Sequence, residues 1–99
     1  MAKLVRDRIP EIIQSQGKHC KTRILSDEEY RRCLHEKLDE ELAEFHKDRN
    51  LEELADLMEV ILAAAADLGY TAEDLEHMRA EKAAQRGGFA DKIFLESIE

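Results

Sequence analysis

Apolar residues recur three and four positions apart over two long stretches of the chain. Tyr30, Leu34, Leu38, Leu42 and Phe45 form the first stripe. Leu51, Leu54, Leu57, Met58, Ile61, Leu62, Ala65 and Leu68 form the second. This period belongs to an amphipathic α-helix. Ser26 and Glu29 supply an S-x-x-E capping box, so the first long helix is expected from there to about His46. Lys47 to Asn50 reads as a short polar turn, Leu51 opens the second helix and Gly69 closes it. Thr71 with Asp74 starts a third segment, with Leu75 and Met78 inward, ending at Gly87-Gly88. Ahead of these, Pro10 suits the first turn of a short helix that Gly17 ends. Thr22 to Leu25 and Phe89 to Leu95 are expected to be extended. The pattern predicts an all-α bundle built on an antiparallel helical hairpin with a very short turn.

The chain has 99 residues, which suits one domain spanning 1–99. A chain of that length buries a modest share of its surface alone, so completion of the bundle by oligomerisation is expected. No apolar run approaches the ~20 residues of a membrane span; the longest is Val60 to Ala66. Charge enters too early, at Lys3, Arg6 and Asp7, for a signal peptide. Cys20 and Cys33 make no disulfide framework, and a cytoplasmic setting with reduced thiols is expected.

Lys plus Arg number 15 and Asp plus Glu 23, giving a net charge of −8. Such a balance argues against nucleic acid as a partner. The charge is unevenly spread: residues 1–25 carry +4, residues 26–76 carry −12, and residues 77–99 are balanced. An acidic middle between less acidic ends suits a central cation with anionic groups at its margins.

A few carboxylates do not belong on a solvated face. At about 100° per residue, Glu41 falls about 30° from the centre of the first apolar stripe. Glu44 lies at its edge, while Glu40 points away. In the second helix Glu53 sits on the edge of the apolar arc and Asp56 flanks it. A turn centred between Asp48 and Arg49 sets Glu44 level with Glu53 and Glu41 level with Asp56. The two levels are about 4.5 Å apart along the axis. Four carboxylates so placed repel one another unless a cation joins them. Hard divalent ions with oxygen ligands, Mg²⁺ or Mn²⁺, fit that set. The bland alternative is an acid-rich solvated hairpin. A di-iron site needs a Glu-x-x-His from each of two helices, and the sequence has none. Zinc is disfavoured because the Cys and His residues form no compact set.

Glu40-Glu41-Leu42-Ala43-Glu44 followed by Glu53-Leu54-Ala55-Asp56 resembles the EExxE…ExxD signature of the MazG-like, all-α nucleoside triphosphate pyrophosphohydrolases. The small phosphoribosyl-ATP pyrophosphohydrolase-like branch is the nearer likeness. It shares an opening like Lys3-Leu4-Val5-Arg6-Asp7-Arg8-Ile9-Pro10 and an ending like Lys82…Arg86-Gly87-Gly88-Phe89. Only eight residues separate Glu44 from Glu53, fewer than in the general MazG pattern, so the loop that helps select the base is short. The resemblance implies Mg²⁺-dependent cleavage between the α and β phosphates of a nucleotide, giving a monophosphate and pyrophosphate. By motif match Glu41, Glu44, Glu53 and Asp56 hold the metal, and Glu40 or Glu41 is the catalytic base. Lys82, Arg86 and Arg79, on one face of the third segment, are the expected phosphate clamp. Lys3 and Arg6 stand either as phosphate-binding groups or as part of a docked terminal segment with salt bridges. The implied partner is a nucleotide-like small molecule, with a homodimer or homotetramer as the assembly. Phosphoribosyl-ATP as substrate, in histidine biosynthesis, and a non-catalytic helical interaction module are the alternatives. Gly87-Gly88 reads as a helix stop, Phe89 and Phe94 as core or interface, and Ala63 to Ala66 as a close-packing surface.

Overall fold

A computed structural model describes residues 2–99. The described residues are all-helical, with four helices and no strand. These are α1 (Ile9–Ser15), α2 (Asp27–Asp48), α3 (Leu51–Asp67) and α4 (Ala72–Arg86).

Local chemistry explains each boundary. Pro10 sits in the first turn of α1, where its missing N–H costs nothing. Ser26 and Glu29 form the expected capping box at α2: Glu29 N donates to Ser26 Oγ at 3.2 Å and Ser26 N to Glu29 Oε1 at 3.2 Å. Thr71 and Asp74 form a second box at α4. Helix α2 runs two residues past the expected stop, because Arg49 takes a left-handed conformation (φ 43°) and caps it. Asn50 then caps α3 at once. Only Arg49 and Asn50 separate the two helices. Gly69, at φ 93°, turns the chain after α3, and Tyr70 N donates to Ala65 O at 2.9 Å.

Of the two segments expected to be extended, the tail departs from the expectation at its start. Residues 22–25 carry no regular structure, and the tail opens with a turn in which Lys92 N bonds Phe89 O at 3.2 Å.

Helices α2 and α3 pack along each other in opposite directions. Arg31 near the start of α2 holds Asp67 at the end of α3 at 3.0 Å. The core lies in this seam and is small: Leu34, Val60 and Ala65 are its buried apolar residues. Leu42, Leu54 and Met58, expected inward, remain 44%, 44% and 49% exposed. Met78 of α4 is 57% exposed, and Phe89 and Phe94 are exposed rather than core. Helix α4 touches α3 and buries no residue fully. The molecule is elongated, 61 × 31 × 22 Å with a radius of gyration of 17.6 Å. A compact chain of this length has a radius near 13 Å. Its accessible surface is 9209 Å², against about 5,800 Å² for a compact monomer of the same mass. Among the described residues, no helix is long and apolar enough to cross a membrane.

Candidate metal and phosphate site

Helix α2 turns one flank of its packing face toward α3 with Leu34, Lys37 and Glu41 in successive turns. Helix α3 answers with Glu53, Asp56 and Val60. The short Arg49–Asn50 connection brings the two acidic ends together. Carboxylate oxygens of Glu41, Glu53 and Asp56 lie within 4.8 Å of one another. A second set, Glu44, Asp48 and Glu53, meets the same distance. Glu53 belongs to both and joins them. The four carboxylates expected as ligands are therefore gathered, and Asp48, assigned to a polar turn, joins them because α2 continues through it.

The Asn50 cap positions Glu53. Asn50 Oδ1 accepts from Glu53 N at 2.9 Å, which fixes the third residue of α3. Asn50→Ala should cost about 1 kcal/mol of stability. Thermal melts followed by circular dichroism test this; an unchanged melting temperature would leave the cap without weight.

The electrostatics centre on Glu53. Its carboxyl is held above the usual range, first by loss of solvent and then by the charges of Asp56, Asp48, Glu44 and Glu41. Glu41 is more enclosed, with 13% of its side chain exposed. Lys37 Nζ lies 3.4 Å from Glu41 and 3.4 Å from Glu40, with 17% of its side chain exposed. Glu40 is on the rim, away from the clusters.

The N-terminal segment lies against the α2–α3 pair and lines one side of the site. Arg6 donates to Asp56 Oδ1 at 2.6 Å. Leu4 and Val5 are half-buried beside it. A cavity of about 230 Å³ results, lined by Lys3, Val5, Arg6, Ile9, Lys37, Glu41 and Asp56. A second, of about 220 Å³, shares Arg6, Lys37, Glu41 and Asp56. The cavity thus sets cations against carboxylates.

The expected clamp on α4 is not part of this cavity within one chain. Lys82 and Arg86 are exposed at the far end of α4, and neither lines either cavity. Arg79 is held by Glu76 at 2.8 Å on its own helix. Lys37, between Glu36 and Leu38, was not among the residues expected at the site. Its place four residues before Glu41 was the available signal.

No family model and no solved structure matches the chain. An uncharacterized protein of Mycolicibacterium smegmatis is 59% identical over 44 residues, a stretch covering 44% of this chain and 45% of that protein. The chain therefore matches less than half the length of that relative.

Proposed function

We propose that the protein is a Mg²⁺-dependent nucleotide pyrophosphohydrolase of the MazG-like kind, cutting between the α and β phosphates to release a nucleoside monophosphate and pyrophosphate. The observation that carries this reading is the joining of the two carboxylate clusters through Glu53. The donor set fits the metal: it is all oxygen, lies on two facing helices and suits a hard divalent cation. Glu41, Glu44, Glu53 and Asp56 would hold it, with Asp48 at the edge of the same set. When bound, the cation supplies neutralisation of phosphate charge and acidification of a water ligand.

The chain's own residues then divide the remaining work. Glu41 is the better base of the two glutamates, since it borders the cavity while Glu40 sits outside it. The N-terminal segment supplies Lys3 and Arg6 to the cavity wall. The proposal takes the α2–α3 pair as the helical hairpin of a bundle that a second copy completes. Lys82, Arg86 and Arg79 keep a phosphate role only if such a copy brings them to the cavity. Cytoplasmic residence belongs to the same proposal.

The direct test is pyrophosphate release with Mg²⁺ across canonical and modified nucleoside triphosphates and phosphoribosyl-ATP, with wild type and Glu41→Gln side by side. Release by wild type alone supports the reading, and the substrate ranking separates free nucleotides from the biosynthetic intermediate. Silence with Mg²⁺ bound points to another substrate class; silence without Mg²⁺ binding favours an interaction module.

A further inference from the structure

The cavity holds its own cations on the carboxylates assigned to the metal. Arg6 sits on Asp56 at 2.6 Å, and Lys37 lies 3.4 Å from Glu41. Both bases and both acids line the same 230 Å³ space. A divalent ion in the cluster draws on the same carboxylate charge as the guanidinium and the ammonium, so metal and side-chain cations weaken each other's hold on Asp56 and Glu41. Once displaced, Arg6 and Lys37 are charged groups in a partly enclosed space with their partners taken. A phosphate oxygen is the group that satisfies them, and Arg suits it well through its planar fork. Arg6 has the freedom to turn, since 53% of its side chain is exposed and it sits on a segment without regular structure.

We infer that Arg6 and Lys37 are exchangeable counter-cations: they neutralise Asp56 and Glu41 before the metal arrives, then receive the phosphates of the nucleotide. This rests on the pyrophosphohydrolase reading and adds the phosphate-binding half of the site, built from the N-terminal segment and α2 rather than from α4. It also orders the events, because metal binding frees the groups that hold phosphate. Lys3, on the same wall, adds a third positive charge.

Titration calorimetry tests the exchange without turnover. MgCl₂ alone and inorganic pyrophosphate in saturating Mg²⁺ are titrated into wild type, Arg6→Met, Arg6→Lys and Lys37→Met. Arg6→Met should bind Mg²⁺ about two- to fivefold more tightly, the scale of an exposed ion pair no longer to be broken. It should bind Mg²⁺–pyrophosphate about tenfold more weakly, the scale of a lost charge-assisted hydrogen bond. Lys37→Met should move both in the same directions, and Arg6→Lys, which keeps the charge but loses the fork, should fall between wild type and Arg6→Met. Melting curves show whether each variant is folded, and Arg6 is exposed enough to be replaced without loss of core. Opposite-signed shifts support the exchange. A loss of both affinities would make Arg6 a structural tether and overturn it, as would no change in either. If wild type binds neither Mg²⁺ nor Mn²⁺, the pyrophosphohydrolase reading fails and the exchange falls with it. If wild type binds metal and the variants match it, only the exchange falls.

Discussion

Glu53→Gln should make the metal-free protein more stable and, under the proposed function, nearly abolish pyrophosphate release. The carboxylate lies where the two acidic clusters meet, and its carboxyl is already pushed up by lost solvation and four neighbouring acids. An amide of the same shape removes the repulsion and keeps the Asn50 cap, which uses the backbone N–H. The melting temperature without metal should therefore rise by a few degrees. Mg²⁺, which stabilises the native state by binding it, should then add much less than it adds to wild type. Turnover should fall about a thousandfold, since a divalent cation is worth several kcal/mol of charge stabilisation at a phosphoryl centre. Melts with and without Mg²⁺, beside a pyrophosphate assay, read all three. A destabilised apo variant would mean that Glu53 has an uncharged structural role. Full activity would remove it from the site.

The same residue sets a pH dependence. A folded-state pKa above the unfolded value favours the protonated form in the native state. Stability from Glu53 is thus present below the ordinary carboxylate range and lost as pH rises through its raised value. Glu29 acts in the opposite direction. The Arg23 guanidinium, then the Ser26 cap, hold its carboxyl down at about 2. Its contribution is present above the unfolded range and lost as pH falls toward that value. Metal-free wild type should therefore be most stable in mildly acidic solution. Glu53→Gln should flatten the decline toward neutral pH and leave the acid limb intact. A chemical denaturation series across pH measures both limbs.

The all-α class, the capping boxes at Ser26 and Thr71 and the helix stop at Gly69 were legible because each depends on residues a few positions apart. The gathering of Glu41, Glu44, Glu53 and Asp56 was legible because helical phase and a short turn fix it. Arg49 was not, since it adopts a left-handed conformation usually left to glycine or asparagine. That one choice lengthened α2 and added Asp48 to the acidic set. Asn50 as a cap was hidden for the same reason. The Arg6–Asp56 bond spans fifty positions, beyond any local pattern. Leu42, Leu54, Met58 and Met78 were apolar at helical spacing, which says that they seek cover but not from what.

Those uncovered residues lead to the expectation for assembly. Leu54 and Met58 lie one turn apart on α3, each about half exposed, and Leu42 on α2 is equally bare. Helical phase sets them on the flank away from Asp56, Glu59 and Ala63, which line the cavities. One chain therefore presents a polar cavity on one flank and apolar side chains on the other. With so little buried and an accessible surface about 1.6 times that of a compact monomer, the fold needs a further apolar surface to be stable. A second copy offers one with the same composition and leaves the cavity side open. Met58→Glu should thus weaken self-association about a hundredfold, the scale of a central interface residue. It should also lower the melting temperature and make it depend more steeply on protein concentration. Mg²⁺ binding at the opposite flank should survive wherever the chain stays folded. Sedimentation velocity across a dilution series, with calorimetry on the same samples, measures each effect. A wild type that sediments as a stable monomer at all concentrations would remove a second copy as what covers this face.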